Sequence, residues 1–124
     1  MKAVVIKTDG SRYVAEFEKE SYDFLSKTVG GLIERVTLHD KEGAPDMWLN
    51  EEGKIIGLDQ NPTATALWVD MYDLTDVMCG DVVITGNCDD EGYTLGLSDE
   101  QVDFFMTYDR SIWNTLAPGF ISLA

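Results

Sequence analysis

His39 is the only histidine in the chain, and Asp40 follows it directly. An imidazole beside a carboxylate can serve as a general base if a serine or cysteine nucleophile stands within reach. No serine or cysteine sits in a G-x-S-x-G elbow, so the sequence assembles no triad. At the end of a strand-like run, His39 is expected to be a solvated surface residue. The two cysteines, Cys79 and Cys88, flank the apolar run from Gly80 to Asn87. That spacing places them at opposite ends of one strand, as reduced thiols rather than a bridge, with Cys79 buried.

Metal chemistry fares no better. Asn87, Asp89, Glu91 and Gly92 fall at the first, third, fifth and sixth positions of a calcium loop. The twelfth position, where a bidentate Glu belongs, is Ser98, so the expectation is an acidic hairpin without an ion. One His and two separated Cys do not make a four-ligand zinc site. Gly30-Gly31 lacks both phosphate-cradling patterns and reads as a helix stop. With 23 acidic residues, no particular carboxylate pair stands out for acid–base work. The reading is a non-enzymatic protein with no cofactor, no metal and no catalytic residue.

Charge is the dominant feature. The formal net charge is −14, from 9 basic and 23 acidic residues. Residues 1–62 hold 8 basic and 12 acidic side chains; residues 63–124 hold one basic residue, Arg110, against 11 acids. Such a surface repels phosphate, which argues against direct nucleic-acid binding and against acidic membranes. No apolar run approaches the span of a bilayer, and the N-terminus lacks signal-peptide regions, so a cytoplasmic location is expected.

The positioning elements follow from local patterns. Ala3 to Ile6, the turn Asp9-Gly10, and Tyr13 to Phe17 predict a hairpin. Ser21 caps a helix carrying Tyr22, Leu25 and Val29 on one face, and Gly30 ends it. Leu32 to Leu38 and Met47 to Leu49 are strand-like, and Asn50 to Gly53 is expected to turn the chain into a returning strand, Lys54 to Leu58. Asn61 and Pro62 open a helix whose Ala64, Leu67, Trp68 and Met71 face inward. Val82 to Ile84 reads as a central strand, turned by Asn87 to Gly92 into Tyr93 to Leu97. Ser98 and Gln101 form a capping box, Leu97 and Val102 a staple across it, and Val102, Phe105 and Met106 an inner face.

The fold class is therefore α+β, a mixed, mostly antiparallel sheet built from hairpins with about three short helices against it. Its 124 residues suffice for one core. Residues 1–110 read as that single domain, and 111–124 as an apolar tail, with Trp113, that packs on the domain or on a second copy in a homodimer. Glu52 to Leu58 and Glu91 to Leu97 share four of seven positions, and the expected cause is two hairpins each feeding a capped helix.

An ordered set of short motifs carries a family resemblance: Met1-Lys2-Ala3-Val4, Val29-Gly30-Gly31-Leu32-Ile33-Glu34-Arg35-Val36 and Asn50-Glu51-Glu52-Gly53-Lys54. Gly57-Leu58 with Asn61 and Ala64, Gly80-Asp81-Val82-Val83-Ile84 and Leu97-Ser98-Asp99-Glu100 complete it. Over roughly residues 1–105 the chain resembles an uncharacterised family of small bacteriophage and mobile-element proteins. The resemblance implies a mixed sheet with helices and such an origin, and it brings no catalytic residues.

The functional expectation is an accessory protein that binds a basic host protein through its acidic surface, imitating DNA or countering host defence. Asp99, Glu100 and Asp103 on the last helix, Asp70 and Asp73 on the preceding one, Asp89-Asp90-Glu91 on the hairpin, and Trp113 are the candidate contact residues. The alternative is a small-molecule or nucleotide-signal binder, which requires Lys7, Arg12, Arg35 and Lys54 to cluster.

Overall fold

Every residue from Ala3 to Ile6 is buried, which a strand achieves only when both its faces are covered. In the computed structural model, which describes residues 1–38, 43–72 and 76–109, the cover comes from helices on the two sides of a sheet. The elements in order are β1 (Lys2–Ile6), β2 (Arg12–Glu16), α1 (Tyr22–Val29), β3 (Ile33–Thr37), β4 (Asp46–Asn50), α2 (Pro62–Tyr72), β5 (Val82–Thr85) and α3 (Asp99–Thr107). The sheet order is β2-β1-β5-β4-β3, with every neighbouring pair antiparallel. The fold is α+β, as the sequence indicates.

Alternation along the strands sorts the apolar side chains into two clusters. Val4, Ile6, Met47, Leu49, Val82 and Ile84 meet Ala64 and Leu67 of α2 and Val102 and Phe105 of α3. Ala3, Val5 and Val83 turn the other way, onto Leu25 and Val29 of α1 and onto Phe17. β5 pairs with both β1 and β4, so it is central and fully buried.

Two buried asparagines lock the connections. Asn61, wholly shielded from solvent, donates from Nδ2 to the carbonyls of Ile6 (3.0 Å) and Gly80 (2.9 Å), and its Oδ1 accepts from the Ala64 N–H at 3.0 Å. One side chain thus starts α2 and ties it to the end of β1 and the entrance to β5. Asn50 donates to the carbonyl of Val29 at 3.2 Å and accepts from the Glu52 N–H at 2.8 Å, joining the end of α1 to the turn after β4. Gly31 packs tightly beside it: a Cβ there would lie 3.0 Å from the Asn50 amide nitrogen, so a side chain at this position would press on this joint. Gly30, with φ of 85°, closes α1 in the left-handed conformation.

Several local expectations are corrected. Lys54 to Leu58 is a compact turn and not a strand: Gly53 N–H bonds to the Asn50 carbonyl, Ile56 to Glu52, and Leu58 to Gly53. These short-range bonds satisfy the backbone locally and leave Ile55 and Ile56 exposed. Tyr93 to Leu97 is not a strand either: its one ladder contact is the isolated bridge of Thr94 to Cys88, so the first of the two similar segments is a turn and the second an irregular connection into α3. Ser21 precedes α1 without capping it by side chain; its hydroxyl bonds to that of Thr94 at 3.1 Å instead. Tyr22 is exposed, and Leu25 and Val29 carry the buried face. Cys79 and Cys88 are free thiols, the former buried. Among the described residues, no helix is long and apolar enough to cross a membrane.

Candidate functional site

Helix α3 is held at both ends. At its start Ser98 Oγ accepts from the Gln101 N–H at 3.1 Å and Gln101 Oε1 accepts from the Ser98 N–H at 2.9 Å, the reciprocal box the sequence predicts. At its finish Arg12 Nη1 donates to the carbonyls of Phe105 (2.9 Å) and Tyr108 (2.7 Å), two groups the last turn cannot satisfy itself. Val102 and Phe105 are buried, and Met106 packs on the same core. Asp99, Glu100 and Asp103 are therefore left on the exposed side. Asp99 and Glu100 also stand at the helix N-terminus, where backbone N–H groups favour negative charge. Lys2 pairs with Asp99 at 3.2 Å, yet the Asp99 side chain stays 88% exposed.

The acidic loop just before α3 has a structural duty as well. Asp89 Oδ1 accepts from the N–H groups of Glu91 and Tyr93, both at 2.9 Å, so one carboxylate oxygen builds the turn. Asp90 and Glu91 are exposed. The loop is fastened by the Ser21–Thr94 hydroxyl pair and by Lys19, whose ammonium lies 4.2 Å from the centre of the Tyr93 ring. Gly96 runs against the N-terminus so closely that a Cβ would meet the Lys2 backbone nitrogen at 2.8 Å. The Leu97 N–H then bonds to the Lys2 carbonyl at 2.8 Å, setting the direction in which α3 leaves.

Asp70 does not join an exposed array. Both its carboxylate oxygens are buried without a hydrogen-bond partner, and burial pushes its carboxyl up to about 6. It follows Thr63 and Ala66 on one stripe of α2, both buried, and that stripe carries it inward. Tyr108 is its neighbour in charge: burial first, and then Asp70, push the phenol up to about 12, against the pull of Arg12. Its hydroxyl is also buried and unpartnered. Asp73 and Trp113, like His39, Asp40 and the tail, lie outside the described residues.

The basic cluster that the small-molecule alternative requires is not formed. Lys7 pairs with Asp81 at 3.5 Å, Lys54 with Asp76, and Arg35 approaches Asp46 at 3.9 Å, while Arg12 is committed to α3. Strand alternation separates them further: Ile33 packs on the α1 side, so Arg35 faces that side, whereas Glu34 and Val36 face the side of Lys54. Burial raises the Asp46 carboxyl, opposed by the Thr37 hydroxyl at 2.9 Å and by Arg35.

Sequence reasoning missed one hollow. A cleft of about 380 Å³ opens between β3, the 51–55 turn and the 76–79 segment, with Trp68 of α2 in its wall. Glu34, Glu51 and Asp76 line it together with Lys54, Val36, Leu49 and Cys79. Alternation in Glu34-Arg35-Val36 was the available signal, but the turn that completes the cleft reads as a strand. Among the described residues, no group of three or more His, Cys, Asp or Glu is placed to hold a metal ion.

The chain matches, over residues 1–110, the family described as a domain of unknown function (DUF3846), and it belongs to that family. No curated protein and no solved structure is similar enough to match it.

Proposed function

We propose that this DUF3846 protein is a non-enzymatic accessory protein of a bacteriophage or related mobile element, and that it binds a basic host protein through the outer face of α3. The observation that carries the reading is that Asp99, Glu100 and Asp103 are exposed on a helix fixed at both ends, by its capping box and by Arg12. A rigid array loses little freedom when a partner docks on it. With a rise of about 1.5 Å per residue, the three carboxylates span about 6 Å of helix axis. That density is comparable with the phosphates of one DNA strand, about 3.4 Å apart along its axis. Asp90 and Glu91, on the preceding loop, extend the charge. The phage or mobile-element setting rests on the ordered motifs from Val29-Gly30-Gly31 to Leu97-Ser98-Asp99.

A basic, DNA-binding surface is the natural complement, and occupying it would keep DNA away. The test is affinity capture from bacterial lysate, followed by competition with duplex DNA. The reading expects a captured DNA-binding protein that duplex DNA displaces. A partner indifferent to duplex DNA, or retained equally by a chain with Asp99→Asn, Glu100→Gln and Asp103→Asn, would refute it.

A further inference from the structure

The cleft beside Trp68 has a charge balance that selects its occupant. Three carboxylates, from Glu34, Glu51 and Asp76, line it against one ammonium, that of Lys54. Lys54 is ion-paired with Asp76, and the Asp76 hydrogen bond is the main cause of its raised pKa, with the Glu34 charge adding to it. The fold therefore already seats an alkylammonium here, its own. That group remains in reach of solvent, because the Lys54 side chain is 55% exposed. Part of the wall is apolar, from Val36, Leu49 and Trp68. Such a wall suits the methylene stem of a long basic side chain, and an indole suits its cationic head.

Size and surroundings narrow the choice. About 380 Å³ lies near the small end of ligand pockets, which run from about 300 to 1,000 Å³. Ile55 on the rim is 85% exposed and its neighbour Ile56 is 56% exposed, two adjacent apolar side chains with no role in the core. A free small cation would leave both in water, whereas a peptide carrying the cation would cover them.

We propose that this cleft receives a lysine or arginine side chain of a protein partner, which takes the place of Lys54 against Asp76 while flanking residues of the partner cover Ile55 and Ile56. The inference rests on the reading of a basic protein partner and assigns it a second, separate point of attachment. The exchange leaves the net charge of the cleft unchanged and releases Lys54 to water. An anionic ligand would instead have to overcome Glu34, Glu51 and Asp76 together.

The probe is the blocked peptide acetyl-Leu-Arg-Leu-amide, titrated into the intact chain and followed by amide and indole NMR shifts. We expect saturable shifts at the Trp68 indole and at Leu49 and Cys79. The glutamine peptide acetyl-Leu-Gln-Leu-amide should bind at least about tenfold more weakly, as should the arginine peptide to a Glu34→Gln, Glu51→Gln chain. Lys54→Ala should bind the arginine peptide several-fold more tightly, since Asp76 is then open. Equal binding of the two peptides, or undiminished binding by the Glu34→Gln, Glu51→Gln chain, would overturn the proposal. So would unchanged or weaker binding by Lys54→Ala. Methylguanidinium binding as tightly as the peptide would overturn the protein source in favour of a free cation. Shifts confined to Asp99–Thr107 would overturn the cleft and leave the α3 reading standing.

Discussion

The guanidinium of Arg12, on the edge strand β2, donates to the backbone carbonyl of Tyr108 at 2.7 Å, closing the end of α3 from 96 residues away in the chain. The same nitrogen reaches the Phe105 carbonyl at 2.9 Å. A basic side chain at a helix C-terminus satisfies orphan carbonyls and opposes the negative end of the helix dipole. Here the residue is supplied by another element, so the acidic helix is bound to the sheet as well as finished by it.

Arg12→Ala should therefore destabilise the protein by about 1.5–3 kcal/mol, the range for hydrogen bonds to a charged group. Arg12→Lys should recover part of the loss, because an ammonium restores charge without the planar geometry. Urea denaturation of the three chains checks this, and equal midpoints would show that the two carbonyls are satisfied without Arg12.

At the other end of the helix, Ser98→Ala should cost about 1 kcal/mol, since the Gln101 N–H loses its acceptor. Chemical denaturation reads the loss directly. Amide exchange should quicken first in residues 99–102; no change in either would mean the box contributes nothing to the start of α3.

Both ends of α3 illustrate what the sequence does and does not reveal. The capping box, the Gly30 stop and the Asn61-Pro62 start are written in neighbouring residues, so they are legible, as is the outward direction of Asp99, Glu100 and Asp103 from the Val102-Phe105-Met106 period. The Arg12 cap is not, because β2 and the end of α3 meet only after the sheet forms. Ile55 and Ile56 suggest a strand by composition, yet the turn bonds after Asn50, with the Ile56 N–H on the Glu52 carbonyl, close the segment on itself first. Asp70 reads as surface by residue type, and only its place below Thr63 and Ala66 on a buried stripe of α2 betrays it. The cleft needs four separate stretches of chain, which no spacing announces.

Asn61→Ala should be among the most damaging single changes in the chain. The side chain serves two carbonyls and one N–H with no access to water. Leaving buried polar groups unpaired costs about 1–3 kcal/mol each, so a loss of at least about 3 kcal/mol is expected. A loss below about 1 kcal/mol in urea denaturation would contradict this account of the joint between β1, α2 and β5.

Asp70 gives a pH signature. Its folded carboxyl titrates near 6, above the ordinary 3.8, so the native state holds this proton more tightly than the unfolded chain does. That contribution to stability is complete below the unfolded value and is lost as pH rises through the folded one. Asp70→Asn should equal the parent at about pH 3, below the unfolded value, and exceed it by about 1 kcal/mol at about pH 7.5, a gain moderated by the residue's partial exposure. Asp46, raised by burial in both chains, cancels from the comparison. Paired melts at the two pH values decide it: an Asn chain no more stable than the parent at the higher pH would mean that Asp70 is not a buried charge.

The central claim is that the exposed acids of α3 are a binding surface, and its most direct measurement is the affinity of the captured basic partner as salt is raised. At physiological salt, screening restricts charge attraction to about 8 Å, so a contact carried by clustered carboxylates must weaken steeply across that range. The account predicts a steep salt slope for the parent chain. For Asp99→Asn, Glu100→Gln, Asp103→Asn it predicts a shallower slope and slower association, with the fold retained and only a small drop in melting temperature from the charges lost at the start of α3. Equal affinity and equal salt slope for the two chains, with the partner still captured at physiological salt, would contradict it.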